Sequence, residues 1–347
     1  MPTTGHSCRK ARAENAAAWL LPDQREVAPL LASLGQSFAV ATESQGRTVN
    51  SWFDTFDWRL YSHSFLLCHD RAAWHLLERE SGEEVAVLSC PEGGQWRFGR
   101  EFPVSRLRVL LEPLLAERRL LELFSAEVTA FSLRVENSDA KTVALVSAET
   151  HRIDDGVPAT SVLRLRGVRG YGREFDELCA FFRDRGVREQ AEPFAFFSQG
   201  VRRGGRSPLD YTSRFRPALR PEMTARQAMT VIYRDLLATI RRNEDGVIAD
   251  LDCEFLHDFR VAVRRTRSGL GQVKSVLPEK ATTTFRAGFS WLGQVTGPTR
   301  DLDVFLHAES ACSAWLPEEL RPALAPFFAS LRRRRATEFA LLIRRLR

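Results

Sequence analysis

His257–Asp258–Phe259–Arg260–Val261–Ala262–Val263–Arg264–Arg265–Thr266–Arg267, followed by Lys274, decides how this chain reads. At ~100° per residue, a helix through this stretch carries His257, Arg260, Arg264, Arg267 and Lys274 within an arc of roughly 100°, beside an apolar stripe of Phe259, Val263, Leu270 and Leu277. No acidic residue occurs between Asp258 and Glu279. An ordinary amphipathic helix scatters both signs over its polar face, whereas a one-signed face bordering a core has a polyanion as its natural partner. Arginine-rich faces also arise by plain solvation, so the stripe alone leaves both readings open.

The downstream context favours binding. Pro278 stops the first helix, Phe285, Phe289 and Leu292 recur at helical spacing over 282–297, and Gly297–Pro298–Thr299–Arg300–Asp301–Leu302–Asp303–Val304 reads as a tight corner into another helix. A histidine followed by arginines at this spacing, then an Arg-Asp-x-Asp corner, resembles the CHAD family over about residues 222–310. The resemblance implies an α-helical domain that binds inorganic polyphosphate in a basic channel between helices. It also implies two bundle halves, of which this chain is expected to hold one; the missing wall and exposed apolar surface lead to an expected homodimer through the helical bundle.

A chain of 347 residues holds two ordinary domains. Residues 1–217 carry 29 basic and 29 acidic side chains and residues 218–347 carry 21 and 15, so the whole net charge of +6 lies in the C-terminal part. Arginine supplies nearly all of it, which suits multidentate phosphate contacts. The six cysteines (Cys8, Cys68, Cys90, Cys179, Cys253, Cys312) form no CxxC pair, which speaks against both a disulfide framework and a zinc site. His63, His69 and His75 recur every six residues, which is neither strand nor helix periodicity. No run approaches the ~20 apolar residues of a membrane span, and no secretion signal is read. A cytoplasmic protein is expected, with no membrane partner, no metal and no cofactor, and with association to polyphosphate granules implied by the CHAD resemblance.

The first half changes character. Residues 1–35 are Ala/Leu-rich and read as a helix with a loose leader; short β-like runs then follow at 51–56, 64–68, 74–77, 85–88, 128–135, 141–146 and 161–167, with helices at 103–117 and 174–185. This pattern gives an α+β chain whose N-terminal antiparallel β barrel or sandwich precedes an all-α, up-and-down helical bundle. Trp52–Phe53–Asp54–Thr55–Phe56–Asp57–Trp58–Arg59–Leu60 resembles the YFDTPDLRL segment of the CYTH family, the triphosphate tunnel enzymes, over about residues 30–190. The arrangement is that of CYTH–CHAD proteins. The chain departs from the family where its chemistry lies: there is no ExExK strand, Glu78 and Glu80 sit beside a turn, and a late strand carries Arg164 and Arg166 in place of glutamates. Two or three carboxylates are needed to hold Mg²⁺ beside a triphosphate, so a chain that is not an enzyme and has no catalytic residues is expected. Arg164 and Arg166 read as a face balanced by Glu149, Asp154 and Asp155, and Asp54 and Asp57 as braces of the backbone.

The expected organisation is a leader at 1–29, a degenerate CYTH-like domain at 30–198, a basic Gly/Pro/Ser linker at 199–221 and a CHAD-like bundle at 222–347. Within the bundle, helices are expected from Thr224 to Arg242, from Asp252 to Leu277, over 282–297, briefly after Arg300, and from Pro317 onward. Polyphosphate, or another polyanion, is expected to bind His257, Arg260, Arg264, Arg267 and Lys274 on the second helix, with Arg234 and Arg241 on the first and Arg300 at the corner. Arg300 either lines the site or braces Asp301 and Asp303, and Arg265 points away to pair with an acid. Two alternatives are a triphosphate-tunnel phosphohydrolase and a nucleic-acid-binding basic bundle. The latter is disfavoured because the stripe lacks interleaved aromatics on which bases could stack.

Overall fold

The computed structural model describes residues 16–21, 27–90, 94–154, 159–189, 194–274 and 276–346. It divides into two units, one of residues 1–116 and 120–211 and one of residues 117–119 and 212–347.

The first unit runs β1 (Ala16–Leu21), α1 (Val27–Ser37), β2 (Ala39–Asp54), α2 (Arg59–Ser62), β3 (Phe65–His69), β4 (Ala73–Glu78), β5 (Glu84–Ser89), α3 (Arg106–Leu115), β6 (Leu121–Glu136), β7 (Thr142–Arg152), β8 (Thr160–Gly167), α4 (Gly172–Asp184), β9 (Arg188–Glu189) and α5 (Ala195–Arg203). The strands form one antiparallel sheet in the order β5-β4-β3-β2-β6-β7-β8-β1-β9. Alternation along the strands divides the core. Leu133, Val135, Val146, Ala148, Leu163 and Leu165 pack with Leu34 of α1 and with Leu178 and Phe182 of α4. Trp52, Phe124 and Ala126 point to the other face and meet Phe196, Phe197 and Val201 of α5. A third cluster joins Phe53, Leu67 and Trp74 to Leu107 and Leu111 of α3.

Residues 16–21 are a strand, not part of a helix. The segment Ala16–Leu21 has helix-forming composition, but it pairs with β8 from Ala16↔Arg166 to Leu21↔Ser161 and with β9 on its other side, and these ladders override the local preference. The motif at 52–60 is a turn braced by its carboxylates. Buried Asp54 accepts the N–H groups of Thr55 (2.6 Å), Leu60 (2.9 Å) and Tyr61 (2.8 Å), and Asp57 accepts from the Thr55 hydroxyl (2.8 Å) and from Arg59 (3.1 Å).

The second unit holds α6 (Ala225–Ile248), α7 (Cys253–Gln272), α8 (Glu279–His307), α9 (Glu309–Ala314) and α10 (Ala325–Leu346), preceded in α10's case by a 3₁₀ turn at Glu318–Leu324. Thr224 and Gln227 form a capping box on α6, and Asp252 caps α7 through the N–H groups of Glu254 and Phe255. Helices α6, α7, α8 and α10 pack in chain order, up and down, so the α+β class with helices after an antiparallel sheet holds.

Two helix expectations need correction. α7 ends at Gln272, because Gly269 and Gly271 weaken its last turn, so Lys274 lies beyond the helix. Gly297–Pro298 is not a corner: α8 is continuous from Glu279 to His307. Pro298 removes the N–H that would reach the Gln294 carbonyl, and Arg260 Nη1 ties the neighbouring turn to α7 by donating to the Gly293 carbonyl at 2.8 Å and to Thr296 Oγ1 at 2.7 Å. Burial of Val295, Thr296, Thr299 and Leu302 carries the helix through the proline.

Candidate functional site

The arginines of α7 are sorted by their distance from α8. Phe255, Phe259, Ala262, Val263, Thr266 and Leu270 form the buried face of α7, which leaves His257 and Arg260 half-buried at its border and Arg264 and Arg267 exposed. Two guanidiniums of α7 lie against α8: Arg260 Nη1 stands 3.6 Å from where a Cβ on Gly297 would be, and Arg267 Nη1 3.5 Å from one on Gly293, ordinary contact distances. Arg300 reaches back from α8 to the start of α7, donating to the Cys253 carbonyl at 3.3 Å with Glu254 at 3.8 Å.

These groups feel one another. Burial, and then the charges of Arg300, Arg264 and Arg267, push the Arg260 guanidinium below its ordinary pKa against the pull of Asp301. Burial and the charge of Arg300 likewise push His257 down, with Arg118 adding to the effect and Glu254 and Asp258 opposing it. The structure therefore brings His257, Arg260, Arg264, Arg267 and Arg300 into one cationic cluster. It does not bring in Arg234 and Arg241. Both are exposed on α6, roughly 120–140° round the helix from the buried face of Met229, Leu236 and Ile240. Lys274 is exposed beyond the end of α7. Arg265 does turn away from the cluster, but its guanidinium lies 5.2 Å from the Phe215 ring centroid instead of on an acid. Arg300 braces the start of α7, a role the sequence did not suggest.

Sequence reasoning missed Arg118. This fully buried residue donates to Asp258 Oδ2 at 2.6 Å and lies 3.4 Å from Asp252 Oδ1, so it fixes the end of α7 on which His257 sits. No local signal announces it, since its partners are 134 and 140 residues away. Phe285, Trp291, Phe305, Trp315 and Phe327 are exposed on the helical unit. Among the described residues no helix is long and apolar enough to cross a membrane.

In the sheet unit, Arg164 pairs with Glu149 at 2.7 Å, and His151 lies 3.2 Å from the same carboxylate. Burial works against the charged form of Glu149, but the Arg164 guanidinium and the His151 ring outweigh it and hold the carboxyl well below the usual range. Asp154 pairs with Arg203 at 2.6 Å, and Asp155 falls outside the described residues. In the linker stretch, Arg206 donates to Asp210 at 2.6 Å and to the Phe56 carbonyl at 2.8 Å, so it is engaged within the first unit. No group of three or more His, Cys, Asp or Glu side chains that could hold a metal occurs among the described residues.

Two solved structures resemble the chain. Hippeastrum HpAC1, described as having a dominant triphosphatase activity, is 16% identical with a TM-score of 0.38, over 56% of this chain and 98% of its own. A Bacillus halodurans protein described as a candidate adenylate cyclase is 12% identical with a TM-score of 0.38, over 51% and 91%. The expectation that the chain is not an enzyme is corrected by these neighbours, both described by an enzymatic activity; at such scores the likeness carries no activity across. No curated protein matches the chain. The model of the CHAD domain matches residues 231–347, further toward the C-terminus than the motifs alone indicated, and the chain therefore carries a CHAD domain over its last helices and most of α6.

Proposed function

We propose that the helical unit binds inorganic polyphosphate, with Arg264, Arg267 and His257 presented to the polymer and Arg260 and Arg300 adding field from behind. The observation that carries this reading is the gathering of Arg264, Arg267 and Arg300 about Arg260, one turn from His257, with no acid in the chain between Asp258 and Glu279. Such a cluster repels itself in isolation, and an anion laid along it removes that cost. Residues seven apart on a helix lie ~10 Å from one another, a span of a few phosphate units. A polyphosphate chain has no bases to read, so recognition uses only charge, hydrogen-bond donors and shape. The CHAD match over these same residues supports a role tied to chains of phosphate.

Titration of the full chain with long-chain polyphosphate and with DNA at equal phosphate concentration tests the reading. Tighter binding of polyphosphate is expected, with affinity falling steeply with salt on a log–log plot, by several units if several phosphates are contacted. Equal affinity for DNA would favour a nucleic-acid interface instead.

The proposal has a pH signature. In the free protein, burial and Arg300 hold His257 below its ordinary value, with Arg118 on the same side and Glu254 and Asp258 opposed. A bound polyanion favours the imidazolium, so binding takes up a proton. Polyphosphate affinity is expected to rise as pH falls, and His257→Gln is expected to flatten that rise while leaving affinity at about pH 8 nearly unchanged. An identical pH profile in the variant would remove His257 from the site.

A further inference from the structure

The last helix presents a second one-signed face. α10 carries six arginines and a single acid, Glu338. Two of the arginines are engaged inside the helical unit, Arg332 with Glu309 and Arg335 with Asp250 and, at 2.9 Å, with Asp303. Arg333, Arg334, Arg344 and Arg345 are exposed and have no ion-pair partner among the described residues. α10 packs against α8 with Phe328 and Leu342 buried. At ~100° per residue, the four unpaired arginines fall with exposed Phe327 and Leu341 within an arc of roughly 120°, turned away from those two buried residues. Glu338 is half-buried at the border of that arc.

We propose that this face of α10 lies on an anionic lipid surface, its arginines among the headgroups and Phe327 and Leu341 reaching toward the acyl boundary. The order of side chains along the helix chooses this occupant. Phe327, the Arg333–Arg334 pair, Leu341 and the Arg344–Arg345 pair follow one another over ~27 Å, so apolar and cationic groups alternate on one side. A polyphosphate chain would meet the arginines and gain nothing from Phe327 or Leu341. A nucleic acid would find one phenylalanine where a stacking platform needs several rings. An anionic bilayer meets both kinds of group at once, and a single exposed helix is convex, which fits a flat partner. No helix among the described residues is long and apolar enough to cross a membrane, and this contact needs none, because the helix lies on the surface. The expectation of no membrane partner rested on spanning segments alone.

Co-sedimentation of the full chain with vesicles of phosphatidylserine and phosphatidylcholine in equal parts, and with phosphatidylcholine alone, tests the proposal. Binding to the first and not the second is expected, weakened by salt. Arg334→Gln with Arg345→Gln should lower affinity for the anionic vesicles roughly thirtyfold, since each arginine near such a surface counts about fivefold. Phe327→Ser with Leu341→Ser, which leaves every charge in place, should lower it roughly tenfold. Leu341→Trp, on the exposed side of the helix, should tighten it, because an indole sits well at the lipid–water boundary. Arg264→Ala with Arg267→Ala on α7 should bind vesicles as the native chain does. Circular dichroism matching the native chain is required of every variant. Failure of the native chain to bind the anionic vesicles overturns the proposal. So does binding that the α7 pair lowers as much as the α10 pair, which would make it a matter of net charge. Binding indifferent to both the Phe327 and Leu341 pair and Leu341→Trp overturns it too, and would leave α10 a face for polyanions in solution.

Discussion

Replacing Arg118 by methionine is expected to destabilise the helical unit by about 3–5 kcal/mol, the range for removing one partner of a buried ion pair. The side chain is 0% exposed, its Nη2 donates to Asp258 at 2.6 Å, and its guanidinium lies 5.1 Å from the Phe255 ring centroid. Asp252 is engaged as well: it caps α7 through Glu254 and Phe255 and accepts the Arg119 N–H at 3.0 Å. Without the guanidinium, two carboxylates buried at the start of one helix would face each other unscreened. Arg118→Lys should recover only part of the loss, because an ammonium cannot fork between the two acids.

The pH dependence of this loss separates an electrostatic cause from poorer packing. Burial already raises the Asp252 pKa, against the pull of Arg118. Removing Arg118 raises it further, so the folded variant binds protons that its unfolded chain does not, in the window above about 3.9. The variant's deficit should therefore be greatest near neutrality and shrink as pH falls toward that value. Urea midpoints followed by helical circular dichroism at about pH 7 and about pH 4.5 measure both effects. A deficit independent of pH would mean that Arg118 matters for its volume and not for its charge.

Arg118 also shows where the sequence stops being legible. The stripe on α7 could be read because His257, Arg260, Arg264 and Arg267 obey a local period, and the helix starts at Thr224 and Asp252 because the capping that sets them is local chemistry. A contact between residues 140 apart has no such signature. The same limit explains β2. Only its buried end, Trp52 to Asp54, carries a hydrophobic signal, while residues 42–49 are exposed and so lack the apolar alternation that marks a strand. β1 and α8 failed for the opposite reason: a local rule was correct as a tendency and tertiary packing overrode it, through the β8 and β9 ladders in one case and burial of Val295, Thr296, Thr299 and Leu302 in the other.

Arg260 changes which substitutions test the polyanion site. Its guanidinium is held by the Gly293 carbonyl and Thr296, so Arg260→Ala would disturb helix packing and binding together and report on neither alone. Arg264 and Arg267 are exposed on the same side of α7, and their joint replacement by alanine leaves the buried face intact. That double variant is expected to weaken polyphosphate binding by about 2 kcal/mol or more, roughly thirtyfold, because charge-assisted hydrogen bonds contribute about 1.5–3 kcal/mol each. The slope of log affinity against log salt should fall by about one to two units, roughly one for each phosphate no longer neutralised. Arg265→Ala, which removes a guanidinium from the Phe215 ring, serves as the control: it deletes the same kind of charge from the same helix but on another face. If Arg265→Ala weakened binding by half as much as the pair, the share of one charge out of two, with helicity unchanged, affinity would follow net charge alone, and the cluster around His257 would not be the site.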